Sequence, residues 1–184
     1  MDQQDSKVKI IRETYPSEIF SIILDIIAGT LLTILILPFE SFIILILIVP
    51  GLLSVRGNTG GAFAARTSRD LIIGNFNKRT WFENISATLI LSLSSGLLLG
   101  ILTIFLNSFV IKIPFINAIA LFFLPILTLT SEPIVSLPIS TFLSYIVFKF
   151  GLNPNNIVSP IMTGIDDILI IVFFYFSTTL LGVS

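Results

Sequence analysis

Cysteine and histidine are both absent from this sequence of 184 residues. The chain therefore has no means of forming disulfides, a Cys/His zinc site, histidine-ligated haem or a Ser-His-Asp triad. The metal ligands that remain are carboxylates, amides, hydroxyls and backbone carbonyls. Such oxygen ligands suit the hard cations Mg²⁺, Ca²⁺ and Mn²⁺, and they serve all three.

Charge is also scarce. Charged residues make up 11% of the chain and hydrophobic residues 54%, with a mean hydropathy of +1.03, whereas a soluble domain carries about 25% charge. This composition predicts an integral membrane protein. Since a transmembrane helix takes roughly 20 residues, about five or six crossings fill the chain. We expect the lipid bilayer as a partner and, with a net charge of −1, no nucleic acid.

The apolar runs predict an all-α, polytopic membrane protein with five transmembrane helices. We expect residues 1–16 to be a polar N-terminal tail and residues 17–184 to form the transmembrane domain. The second helix is predicted to be broken or kinked near Pro50, where a proline and several glycines interrupt the pattern. The fourth carries prolines within residues 116–150, a stretch compatible with one kinked helix or with two shorter ones.

Basic residues discriminate between five and six spans. Five spans from a cytoplasmic N-terminus leave only Lys112 outside, whereas six would also move Lys149 outside. The positive-inside rule therefore favours a multi-pass protein of the cell membrane with its C-terminus outside. The basic residues that five spans place on the cytoplasmic side are Lys7, Lys9, Arg12, Lys78, Arg79 and Lys149.

Carboxylates lie within the predicted spans. Asp166 and Asp167 are adjacent inside the apolar run 157–182, and Asp25 lies in the first span. A charge at membrane depth costs at least about 2.5–3.5 kcal/mol, so such groups normally face a bundle interior or an aqueous path. Two adjacent acids favour a functional site over a helix cap. For Asp25, a hydrogen bond to a neighbouring hydroxyl and a place on an aqueous path are equally compatible with the sequence.

The two aspartates are not equivalent on a helix, because neighbouring residues point about 100° apart. One of them can face a molecular axis while the other meets Asn58, Arg56 or Asp25. In the second span, the proline and glycine cluster fits either an ion site at a helix break or a close helix–helix crossing, and both interpretations can hold together. The small residues that would allow the crossing are Gly60, Gly61, Ala62, Ala64 and Ala65.

Two motifs resemble one known family. The run Pro50-Gly-Leu-Leu-Ser-Val-Arg-Gly-Asn-Thr-Gly-Gly is similar to the P-x-x-x-x-x-x-G-N-x-G signature of the MgtE-type magnesium channels and of the eukaryotic solute carriers that share their membrane domain. Gly151-Leu-Asn-Pro-Asn-Asn, followed by Pro160-Ile-Met-Thr-Gly-Ile-Asp-Asp, is similar to the G-L-D-P-D-N…P-x-x-T-x-x-x-D stretch of that family. The resemblance covers roughly residues 36–182, the membrane domain only.

The resemblance implies a homodimer that moves largely hydrated Mg²⁺ along a path at the two-fold axis, lined by the second and fifth helices. The motif's aspartate corresponds to Asp167, counted from Thr163, and Asn58 is the polar residue of the second-helix motif. Asp166 departs from the pattern, which usually has an uncharged residue at that position. The candidate metal-site residues are Asp167, Asp166, Asn58, Thr163 and Asp25.

Two further functions compete with transport. The stretch Gly164-Ile-Asp-Asp is similar to part of the G-x-G-D motif of intramembrane aspartyl proteases, so a hydrolase using two carboxylates is one alternative. The second glycine of that motif is missing here. A non-transporting membrane assembly subunit, whose polar residues only join helices, is the other alternative. The sequence leaves open whether transport is by a channel or a coupled carrier, and in which direction.

Overall fold

The computed structural model describes residues 6–39, 41–113 and 117–183. Within these ranges the chain forms five α-helices and no strand, and each helix is long and apolar enough to cross a membrane. The prediction of five spans is confirmed. The helices are α1 (Lys7–Ile36), α2 (Phe42–Ile72), α3 (Lys78–Leu106), which continues into a π-helical turn at Asn107–Ile111, α4 (Ala118–Lys149) and α5 (Pro154–Leu180).

The first helix begins earlier than its polar sequence suggested. Ser6 caps its N-terminus by accepting a hydrogen bond from the amide of Lys9, so residues 7–16 are helical and extend α1. The first five residues of the predicted tail lie outside the described residues. The predicted boundary between the polar tail and the transmembrane domain, after residue 16, concerns where the chain enters the membrane, and it stays a prediction.

The second and fourth helices run through their prolines without interruption. Pro50 lies inside α2, and three prolines lie inside α4. Of the two predicted possibilities, broken or kinked, the structure excludes the break in both helices. The alternative of two shorter helices within residues 116–150 is wrong for the described residues, because α4 is a single helix; Ile116 lies outside the described ranges. A proline removes only one backbone hydrogen bond, and a transmembrane helix tolerates that loss when neighbouring helices pack around it.

The fifth helix is central to the bundle. It packs against α1, α2 and α4, while α3 packs on α4 and α2. Helices α1 and α5 cross closely at Gly164, where an added Cβ would lie 2.7 Å from Leu24 Cβ and 3.0 Å from the Ser21 carbonyl oxygen. A small residue is therefore required at this crossing.

Two apolar clusters fill the interior. The larger joins the N-terminal half of α2 to α4 and the C-terminal half of α5, and includes Leu52, Leu124 and Phe174. The smaller lies at the other end of the bundle, around Ala64 and Met162. Along α2, α4 and α5, buried polar residues lie between the two clusters.

Candidate functional site

The buried polar residues between the two clusters form an ionic layer, defined here as Arg56, Glu132, Ser136 and Asp166. Arg56 comes from α2, Asp166 from α5 and the other two from successive turns of α4. The Arg56 Nε lies 2.6 Å from Glu132 Oε2, and Arg56 Nη2 lies 3.0 Å from Asp166 Oδ2. The Arg56 and Glu132 side chains are 1% and 0% exposed. One guanidinium thus ties three helices together.

Ser136 completes the ionic layer. Its hydroxyl accepts a hydrogen bond from Arg56 Nη2 and donates one to Asp166 Oδ1. Gly60, one turn after Arg56 on α2, leaves the space for this arrangement. A Cβ at that position would lie 2.6 Å from Arg56 Nη1 and 2.8 Å from Asp166 Oδ2. Gly60 therefore allows close packing of polar side chains, in line with the close helix–helix crossing that the small residues of the second span predict.

Charges in the ionic layer depend on one another. Each would cost several kcal/mol if left alone in a low-dielectric interior, and the attraction within the layer offsets that cost only while the partners stay in place. Losing one partner of a buried pair typically costs about 3–5 kcal/mol. Moving Asp166 out of the bundle interior would therefore be energetically costly.

A second set of polar side chains lies on the other faces of the same helices. We call Asn58, Thr163 and Asp167 the outer row. Asn58 follows Arg56 by two positions, about 200° around the helix, and its side chain is exposed. Thr163 is exposed and donates only to the carbonyl of Ser159 in its own helix.

Asp167 differs from its neighbour Asp166 in both burial and bonding. It is part-exposed, and across residues 6–39, 41–113 and 117–183 its carboxylate has neither a hydrogen bond nor an ion pair. Of the three partners considered for one aspartate, Asn58, Arg56 and Asp25, the structure places Arg56 against Asp166. That the other aspartate faces a molecular axis stays a prediction. Asp167 keeps its oxygens available to a ligand.

The outer row continues along α5 toward its N-terminus. Asn155, Ser159, Thr163 and Asp167 recur every four residues and so share one helical stripe. Asn155 and Ser159 line a cavity of about 430 Å³ together with small residues of α2 such as Gly61. This stripe is polar, and Asp167 is its only charged member.

Asp25 brings a further carboxylate to this region from α1. Asp25 follows Leu24, whose Cβ lies against Gly164 of α5, three residues before Asp167. One Asp25 oxygen is buried, and within the described chain it has no hydrogen-bonding partner. Among the described residues, this oxygen therefore makes no hydrogen bond to a neighbouring hydroxyl.

Sequence reasoning did not find the role of Glu132. The available signal was its spacing, since Glu132 and Ser136 are four residues apart and share a helix face. In the described part of a single chain, no group of three or more Asp or Glu residues converges to hold a metal.

Comparison with known proteins gives one match. A family model described as MgtE, divalent cation transporter, matches residues 49–177, which include α4, most of α2 and α5, and all of α3. No curated protein and no solved structure matches this chain.

Proposed function

Because this chain belongs to the MgtE family of divalent cation transporters, we propose that it carries Mg²⁺, largely hydrated, through a path at the interface of a homodimer. Family membership makes it a multi-pass membrane transporter and not an enzyme, so the hydrolase alternative is wrong. The choice of ion, the path and the dimer belong to the proposal.

The observation that carries this proposal is the divergence of the two adjacent aspartates. Asp166 is held by Arg56 and Ser136 within the bundle. Asp167 lies on the polar stripe with Thr163, has no partner in the described residues, and faces a region that one chain leaves part-exposed. We assign ion binding to Asp167 and a structural role to Asp166.

The chemistry of Mg²⁺ fits a site of this kind. The ion prefers octahedral oxygen coordination at about 2.0–2.1 Å and gives up its water reluctantly. A path that leaves the hydration shell in place needs few direct ligands, which agrees with a stripe bearing a single carboxylate among hydroxyls and amides. The same ligands admit Ca²⁺ or Mn²⁺, so Mg²⁺ is the proposed substrate rather than the only conceivable one.

A homodimer would double the ligand set. A two-fold interface brings the same patch of two chains together, so Asp167 from each chain would supply two carboxylates. Asn58 and Thr163 would contact the ion's water shell. Asp25, on α1 near its crossing with α5, would add negative charge without contacting the ion directly.

The distribution of basic residues supports one orientation. With five spans, a cytoplasmic N-terminus leaves Lys112 as the basic residue outside, in accord with the positive-inside rule. We propose the cell membrane as the location, with the N-terminus in the cytoplasm and the C-terminus outside.

Mg²⁺ flux into liposomes containing the purified protein tests the proposal. We expect Asp167→Asn to reduce flux about tenfold or more, which corresponds to losing about 1.4 kcal/mol of ion stabilisation. Glu83→Gln is the matched control, because it also removes one carboxylate but from an exposed pair with Arg79. It should leave flux unchanged.

Two outcomes would contradict the assignment. Undiminished flux in Asp167→Asn would remove this carboxylate from the path. Absence of flux in the folded wild type, dimeric or not, would favour a membrane assembly subunit. Repeating the assay with Ca²⁺ and Mn²⁺ measures selectivity directly.

A further inference from the structure

A groove lies between the first turns of α1, the turn that joins α4 to α5, and the first turns of α5. Its volume is about 790 Å³. None of the residues assigned to the ion path lines it. The groove therefore requires an explanation separate from transport.

The lining of the groove changes from basic to apolar along α1. Lys9 and Arg12 lie near the helix N-terminus, while Pro16 and Phe20 lie further into the apolar part of the span. Arg12 and Phe20 are eight positions apart, about 12 Å along the helix axis. On the facing wall, Ile161 of α5 adds to the apolar end.

The two basic residues of the groove, Lys9 and Arg12, differ in their partners. Glu13 lies beside Lys9 at 3.9 Å, and it also binds the α5 N-terminus, accepting from Asn156 Nδ2 at 2.8 Å and from the Asn153 amide at 3.4 Å. Arg12 is exposed, and throughout the described ranges it has no ion pair and no side-chain hydrogen bond. Its guanidinium is available to an anion.

We propose that this groove binds one anionic phospholipid, with the phosphate at Arg12 and an acyl chain against Phe20 and Ile161. Basic pockets between transmembrane helices at the membrane interface are suited to anionic headgroups. The order of polarity along the groove matches that of a lipid molecule, with the charge at the helix end and the hydrocarbon deeper in the bilayer. A bound lipid would join α1 to α5 at their shared end.

Native mass spectrometry of the full chain in detergent tests this site, with phosphatidylglycerol and phosphatidylcholine of identical acyl chains as probes. We expect wild type to retain phosphatidylglycerol preferentially. Arg12→Gln should weaken its retention about fivefold, the effect of one positive charge near a headgroup. Lys112→Gln, which removes a charge from the other end of the bundle, is the matched control and should change nothing.

A second variant separates the groove from charge alone. Ile161→Trp fills the apolar end while leaving Arg12 and Lys9 in place, and it should lower the retention of both lipids. Equal retention of the two lipids by wild type would overturn the proposal, as would equal losses in Arg12→Gln and Lys112→Gln. Unchanged retention in Ile161→Trp would place the lipid outside the groove. Mg²⁺ flux is measured separately, so failure here leaves the transport proposal untouched.

Discussion

The ionic layer and the outer row are built on the same helices, yet their polar groups have opposite surroundings. In the ionic layer, Arg56 and Asp166 are buried and bonded to each other. In the outer row, Asn58 and Asp167 are at least partly exposed and, in the ranges the structure covers, their side chains have no partner. Of two aspartates adjacent in sequence, Asp166 is therefore buried in an ion pair and Asp167 is left accessible. The difference arises because neighbouring side chains on a helix point about 100° apart.

The strongest test of this comparison is Arg56→Met, which removes the cation from the ionic layer. Glu132 and Asp166 would then face each other without compensation, so we expect a loss of about 3–5 kcal/mol in the free energy of unfolding. Thermal unfolding in detergent measures it. Arg79→Met, at an exposed pair with Glu83, is the control and should cost less than about 1 kcal/mol. Similar losses in both variants would show that the layer contributes little.

A smaller effect is expected from Gly60→Ala, which adds a methyl group inside the layer. The new Cβ would meet Arg56 Nη1 and Asp166 Oδ2 at less than van der Waals distance, and overpacking of this kind costs about 1–3 kcal/mol. Gly57→Ala is the matched control in the same helix, because nothing lies within 4 Å of its Cβ. Helix propensity should make that control neutral or slightly stabilising. Equal melting temperatures for the two variants would contradict the packing shown at Gly60.

The smallest effect on stability is expected in the outer row. Asp167→Asn removes a charge with no partner in the described chain, so the free energy of unfolding should change by less than about 0.5 kcal/mol, even though flux falls. Asp166→Asn, one residue earlier, weakens the pair with Arg56. The free energy of unfolding should therefore fall several times more in this variant than in Asp167→Asn. If the two variants melted alike, the aspartates would not differ in the way described.

Much of this architecture follows from sequence patterns, because bilayer thickness fixes the length of each apolar span. The divergence of Asp166 and Asp167 also follows, since helical geometry separates neighbours by about 100°. The pairing of Arg56 with Glu132 does not. The two residues lie on different helices, and no local spacing records which faces meet. The sequence patterns also did not predict that α2 and α4 continue without a break through their prolines, because the partners that stabilise these helices come from other helices.

Arg56 also has a consequence for the order in which the protein is made. A chain emerging from the ribosome presents α2 before α4 and α5 exist, and Ser136, one of the partners of Arg56, is synthesised 80 residues later. Before α4 is synthesised the guanidinium has neither Glu132 nor Asp166 to neutralise it, and an arginine at membrane depth is costly. The contacts that compensate for the charge of Arg56 in the bilayer therefore form only after α4 and α5 have been synthesised.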